Sequence, residues 1–212
     1  MMDVPSSALL IVISGPSGAG KTTLCDRLVA EHEAAVYSIS CTTRPPRPGE
    51  VHGRNYHFLD EETFQRYDDQ GAFLEHANVH GFRYGTLSQA VRDALASGSD
   101  VMMDIDVQGA AQIRRAAANP HVGAPLGDSF VDIFVAPPSM DTLEKRLRGR
   151  AQDDQATIDR RLENARMEMR HWTDYQYLIV NNELSHSYEV LQSIVVAEHH
   201  RIRSERGAED VQ

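Results

Sequence analysis

The sequence predicts an α/β protein: a parallel sheet with helices on both faces, interrupted by an inserted, mostly β subdomain. Three observations carry this. An apolar run at residues 9–13 leads into a glycine-rich turn and then a helical pattern, as in a strand–loop–helix unit. Further short apolar runs, at 100–104, 130–135 and 177–180, alternate with longer helical stretches, which favours parallel strands joined by crossover helices. Residues 40–91 break that alternation and read as the insertion.

The first unit ends on Gly15-Pro16-Ser17-Gly18-Ala19-Gly20-Lys21-Thr22, which fits G-x-x-x-x-G-K-[ST] and is followed by Thr23. Gly15, Gly18 and Gly20 permit backbone angles closed to other residues, so successive amides can turn inward on an anion. A helix over 21–31 adds its N-terminal dipole to the same place. Lys21 has the length to reach the β- and γ-phosphates of a nucleoside triphosphate, and the Thr22 hydroxyl suits Mg²⁺.

Residues 36–40 (VYSIS) alternate like a short strand. The next stretch, 41–58, holds three prolines and two glycines, which exclude a helix, yet carries three arginines and a tyrosine. Residues 60–67 read as a short helix capped by Asp60, and 73–80 and 82–86 as strands meeting at Gly81. A helix over 88–96 ends at Gly98. The strand that follows ends in Asp104-Ile105-Asp106, acidic residues at the carboxyl edge where α/β sheets bind ligands. Helices are expected over 109–118, 140–150, 156–172 and 185–203, and 119–129 is a Pro/Gly-rich surface loop. The domain plan is a core of 8–39, 92–138 and 173–206, a subdomain of 40–91 and a helical lid of 139–172.

Composition narrows the partners. The 212 residues carry a formal charge of −10, which argues against non-specific nucleic-acid binding. Cys25 and Cys41 lack metal spacing, and Cys25 reads as a small core residue. His199 and His200 read as a solvated helix face. No run has the length of a membrane span, and the start, MMDVPSSA, lacks the basic residues of a signal peptide, so the cytoplasm is the expected compartment. Monomer and homodimer are both compatible with the exposed helices.

Three clusters call for one explanation: the phosphate loop; the Arg/Tyr-rich stretch 40–56 with Glu75 and Tyr84-Gly85-Thr86; and the arginines of 146–170. A second anion site facing a triphosphate site suits phosphoryl transfer to another phosphate. That reaction asks mainly for positioning and for neutralisation of crowded negative charge. Arginine meets both needs with a fork that stays protonated.

The stretches SGPSGAGKTT, TTRPPRPGEVHGRNYHF, FLEHANVHGFRYGT, DIDVQGA, APPS and RLRGR, in this order, resemble the guanylate kinase family from Leu9 to about Arg203. The resemblance implies the fold of a P-loop nucleoside monophosphate kinase with ATP, GMP and Mg²⁺ as its ligands. It implies that Arg44, Arg47, Tyr56 and Tyr84 grip the acceptor phosphate, and that Ser40, Glu75, Thr86 and Asp106 read guanine. Asp104 falls where the family keeps an acidic residue near the metal and its waters. Arg146, Arg150 and Arg161 match lid arginines over the triphosphate, and Asn181 matches a residue near the donor adenine. Lys21 and these arginines, with Arg44, form the implied catalytic set. Arg148, Arg160, Arg166 and Arg170 read as a solvated helix face.

The sequence departs from the family pattern in four places. His76 stands for the usual Trp, Ala151 for a Gly, and Asn182-Glu183 for two Asp, and the 119–129 loop is longer. Two other readings share the fold. A non-catalytic binding module is expected to have degraded its phosphate loop, but Lys21 and Thr22 are intact here. A kinase of ribose bisphosphates is expected to lack the guanine readers, but Glu75 and Asp106 are present.

Overall fold

The computed structural model describes residues 8–79, 81–119, 126–149 and 154–202. Its first elements are β1 (Leu10–Ser14), α1 (Lys21–Glu31), β2 (Ala35–Tyr37), β3 (Cys41–Thr42), β4 (His57–Phe58) and α2 (Glu61–Asp69). There follow β5 (Phe73–Val79), β6 (Phe82–Leu87), α3 (Ser88–Ala96), β7 (Asp100–Asp104) and α4 (Val107–Ala117). The chain continues through β8 (Phe130–Ala136), α5 (Met140–Arg148), α6 (Gln155–Glu168), β9 (Tyr177–Val180) and α7 (Leu184–His199).

The main sheet has five parallel strands in the order β2-β7-β1-β8-β9. Every residue of β1 and β8 is buried, because helices cover both faces. Alternate residues of the first strand divide between two cores. Ile11 and Ile13 meet Leu24 and Leu28 of α1 and Tyr188 and Leu191 of α7. Leu10 and Val12 meet Val91 of α3 and Ala110 and Ile113 of α4. The chain leaves β1 toward β2 on one side and β8 lies on the other, so the switch point falls at the β1 carboxyl end.

A second sheet, in the order β4-β3-β6-β5, is the inserted subdomain seen in the sequence. The helix α2, capped by Asp60 on the Thr63 amide, lies on it with Phe64 stacked against Phe73 at 4.5 Å between centroids. The pair α5–α6 has its own small core of Leu143, Leu147, Ile158, Leu162 and Ala165. Among the described residues, no helix is long and apolar enough to cross a membrane.

Four expectations need correction. The strand read at 36–40 is shorter: β2 stops at Tyr37, residues 38–40 cross to the second sheet, and β3 begins there at Cys41. The helix read at 156–172 ends at Glu168 and tightens into a 3-10 turn over Met169–Asp174. This winding carries Tyr175 against Phe134, 5.2 Å between rings, so tertiary packing overrides local helix preference. The last helix stops at His199, short of the expected 203. His199 is not on a solvated face: its Nε2 lies 2.8 Å from Asp100 Oδ2, while Asp100 also accepts the Leu9 amide at 2.8 Å.

One buried ion pair ties the second core together. Asp132, fully buried in β8, accepts both Nε (2.8 Å) and Nη2 of Arg114 from α4. It also accepts the Gln176 amide at 2.8 Å, and Arg114 lies over the Tyr175 ring. Arg114→Ala leaves a desolvated carboxylate without its counter-charge. We expect a loss of about 3–5 kcal/mol in urea unfolding; a loss within experimental error of zero would show that the pair is dispensable.

Candidate active site

The phosphate loop follows β1 with Gly15, Gly18 and Gly20 at φ of 138°, 91° and 99°. No side chain caps α1, so its first amides remain available to an anion. Lys21 folds back, donating from Nζ to the Gly15 carbonyl at 2.6 Å and the Pro16 carbonyl at 3.3 Å. The Ala19 amide donates to the Pro16 carbonyl.

Asn181 holds the loop from behind. It is buried; its Nδ2 donates to the Ala19 carbonyl at 2.7 Å and its Oδ1 accepts the Ser187 hydroxyl at 3.0 Å. A Cβ on Gly20 would sit 2.2 Å from Asn181 Nδ2, so glycine is required for the approach as well as for the backbone angle. With both ends of the amide engaged, the side chain serves the loop, whereas the sequence reading put it beside the donor base. Arg146 donates to the Asn181 carbonyl at 2.9 Å, and Arg161 of α6 reaches Ser17 Oγ at 2.7 Å. Both arginines therefore stand at the loop. Arg150 lies outside the described residues.

The Thr22 hydroxyl donates to Asp104 Oδ2 at 2.7 Å, and Lys21 Nζ is 4.0 Å from Asp104 Oδ1. One hydroxyl and one carboxylate suit a hard cation that completes its shell with water and phosphate oxygens. Among the described residues, no group of three or more His, Cys, Asp or Glu gathers as a metal cage. Thr23, on the first turn of α1, is exposed.

A cleft of about 380 Å³ opens from this loop toward the second sheet, with Lys21 and Asp104 on one side and Ser40, Tyr56, Glu75 and Tyr84 on the other. Glu75 is buried on β5, and its Oε1 accepts the Thr86 hydroxyl at 2.7 Å. Its Oε2 lies where a Cβ on Gly109 would come within 2.6 Å, so only glycine at the start of α4 leaves the carboxylate room. Burial pushes Glu75 up to about 7, offset in part by the Thr86 bond, with Asp106 adding to the rise. Asp106 lines the same cleft but also caps α4, accepting the Gly109 amide at 2.8 Å and the Gln108 side chain at 3.1 Å. Two jobs, one local and one facing the cleft, fall on a single carboxylate.

Tyr56 and Tyr84 meet edge to face at 6.0 Å. Behind them, buried Arg44 is gripped through Nη2 by both oxygens of Glu50, at 2.8 and 2.9 Å, and donates to the Pro45 carbonyl. Arg47 is exposed, with its backbone amide on Glu50 Oε2 at 2.7 Å. The structure thus brings together Ser40, Tyr56, Glu75, Tyr84, Thr86 and Asp106, sets Arg44 just behind, and leaves Arg47 on the loop outside. Sequence reading missed Glu50, which orients Arg44, and Glu168, which ends α6 on the cleft wall. Glu168 falls two helical turns after Arg161, a periodicity that was available to find it.

A phosphate loop at the switch point of a parallel sheet, facing an acceptor cleft in an inserted sheet beneath an arginine-bearing helix pair, is the plan of an α/β nucleotide kinase. Comparison makes the assignment particular. The guanylate kinase family model matches residues 7–198. The guanylate kinase of Alkalilimnicola ehrlichii is 46% identical over 193 residues, covering 91% of this chain and 90% of that one. That of Syntrophotalea carbinolica is 47% identical over 204 residues, covering 95% and 92%. The crystal structure of guanylate kinase from Anaplasma phagocytophilum superposes with a TM-score of 0.72 at 31% identity, covering 92% of this chain and 88% of that one. The chain belongs to the guanylate kinase family and is a nucleotide-binding enzyme of the kinase class.

The raised Glu75 value carries a stability consequence. Ionisation in the unfolded chain begins near the ordinary 4.5, but in the folded protein only near 7. The favourable neutral form is therefore fully present below about 4.5, and its benefit is lost as pH rises through 7. In the ligand-free protein, Glu75→Gln removes this dependence. Its stability relative to wild type should improve by about 2–3 kcal/mol between pH 5 and pH 8. Thermal melts that run parallel across this range would contradict the desolvated carboxylate.

Proposed function

We propose that the protein transfers the γ-phosphoryl group of ATP to GMP, giving ADP and GDP, in purine nucleotide recycling in the cytoplasm, and that it also accepts dGMP. The observation that supports this most is the buried Glu75–Thr86 pair at the end of the acceptor cleft. Guanine offers N1–H and N2–H₂ as adjacent donors, and an ionised Glu75 accepts both. Adenine leaves the carboxylate desolvated and unpaired, at a cost of about 1–3 kcal/mol or more for a charged group.

In this reading the acceptor phosphate binds at Tyr56, Tyr84 and Arg44, with Arg47 turning in from its loop, while Ser40 and Asp106 assist Glu75 and Thr86 at the base. The triphosphate takes the loop amides from Gly15 to Gly20, and Lys21 exchanges its loop carbonyls for phosphate oxygens. Thr22 and Asp104 would hold the Mg²⁺ that comes with ATP, and that ion would supply neutralisation of the phosphate charge. Arg146 and Arg161, already at the loop, and Arg150 neutralise the charge that spreads over the transferred group. The acceptor is itself a phosphate, so the transfer needs no protein base. Closing 40–91 and 139–172 over the two nucleotides excludes water and protects ATP from hydrolysis.

ADP release measured with ATP and Mg²⁺ against GMP, AMP, CMP and UMP tests the reading: turnover is expected with GMP alone. ATP binding without turnover on any acceptor would favour a ribose-phosphate kinase, and absence of ATP binding a non-catalytic module. In the same assay Lys21→Ala should lower kcat by about 10²-fold or more. Glu75→Ala should erode the preference for GMP over AMP by about 10-fold or more. Near-normal turnover in the first, or unchanged selectivity in the second, would count against these roles.

A further inference from the structure

The last residue of α6, Glu168, lines the cleft, and the reaction as written above leaves it without a task. It is half-buried, and its side chain makes no hydrogen bond or ion pair with another described residue. Its electrostatic neighbours are Lys21, Asp106 and His171, from the phosphate loop, the β7–α4 junction and the turn after α6. Burial is the largest influence on it and pushes it up to about 6, so it is mostly ionised at neutral pH. Glu168 also separates the main cleft from a smaller one of about 290 Å³ walled by Asn78, Val79, Gln108 and Asn164. It therefore shares the cleft with Lys21 at the phosphate end and with Asp106 and Glu75 at the base end.

An ionised carboxylate can only accept hydrogen bonds. Both phosphate groups would repel it, and the guanine donors are matched by Glu75. The donors left on a nucleoside monophosphate are its ribose hydroxyls. We propose that Glu168 is a specificity residue that accepts a hydrogen bond from a ribose hydroxyl of the acceptor nucleotide. This rests on the GMP kinase reading and deepens it. It also gives the position of Glu168 a purpose. Arg161 lies two turns earlier on the same helical face, about 10 Å along the axis, over Ser17. A ribose held at Glu168 sets the angle of α6, and with it the place of Arg161 above the triphosphate.

The test compares wild type, Glu168→Gln and Glu168→Ala on GMP, 2′-deoxy-GMP and 3′-deoxy-GMP, with kcat and KM taken separately. Glu168 has no side-chain bond to lose among the described residues, so both variants should fold, and matching thermal melts check this. For Glu168→Ala, KM for GMP should rise about tenfold. KM for the analogue lacking the contacted hydroxyl should match wild type, because that contact is already gone. Glu168→Gln should fall between. An equal rise for all three acceptors, or no rise for any, would overturn the ribose contact while leaving GMP phosphorylation standing. A wild type that binds ATP but fails to phosphorylate GMP would instead reject the underlying reading, and this inference with it.

Discussion

The structure depends first on the bond from Asn181 to the Ala19 carbonyl. A loop whose amides turn inward must bend its carbonyls outward, and those carbonyls still need donors. Asn181 supplies one from a buried position at the end of β9, and Ser187 on α7 fixes the amide orientation. Gly20 clears the space, and Arg146 is drawn in on the Asn181 backbone carbonyl. Strand β9 and helices α5 and α7 thus all bear on six residues of loop. Asn181, which the sequence resemblance placed near the donor adenine, is in this geometry the loop's rear support.

The second constraint is charge. Glu75, Asp104, Asp106 and Glu168 line one cleft with Lys21 among them. Three of these carboxylates have partners without ligand: the Thr86 hydroxyl for Glu75, the Thr22 hydroxyl and nearby Lys21 for Asp104, and the Gly109 amide for Asp106. The cations are managed in the same way. Lys21 rests on loop carbonyls, Arg44 on Glu50 and Arg161 on Ser17. These partners hold the charges in readiness, so that nucleotide binding exchanges hydrogen bonds instead of desolvating bare ions.

Much of this was legible in the sequence. The phosphate loop is local: three glycines, a lysine and a hydroxyl at fixed spacing dictate a shape that needs little from afar. The strands of the main sheet were legible because burial on both faces leaves mostly apolar runs such as LIVIS and FVDIFVA, broken only by Ser14 and Asp132. What was not legible was non-local. The 3-10 turn after Glu168 contains no glycine or proline, and its cause is the Tyr175–Phe134 contact 41 positions apart in the chain. His199 looked solvent-facing because its partner, Asp100, lies 99 residues away. Glu50 gave no signal of its own in the loop, because its role is set by Arg44, whose Nη2 closes on both of its oxygens.

The same contrast explains why the acceptor end of the site is the more demanding. Triphosphate binding uses backbone amides that any sequence able to make the loop will supply. In the proposed reaction, discrimination at Glu75 needs a carboxylate carried by β5, a hydroxyl from β6 and a glycine at the start of α4: two strands of the inserted sheet and a helix of the core. Burial that raises Glu75 toward 7 is a cost in the free protein, recovered only when a ligand with adjacent N–H donors arrives. In the proposed reaction, selectivity is therefore stored as strain in the electrostatics of the unliganded cleft. A substrate that leaves that carboxylate unpaired meets the cost that guanine relieves, and it does so before any phosphate has moved.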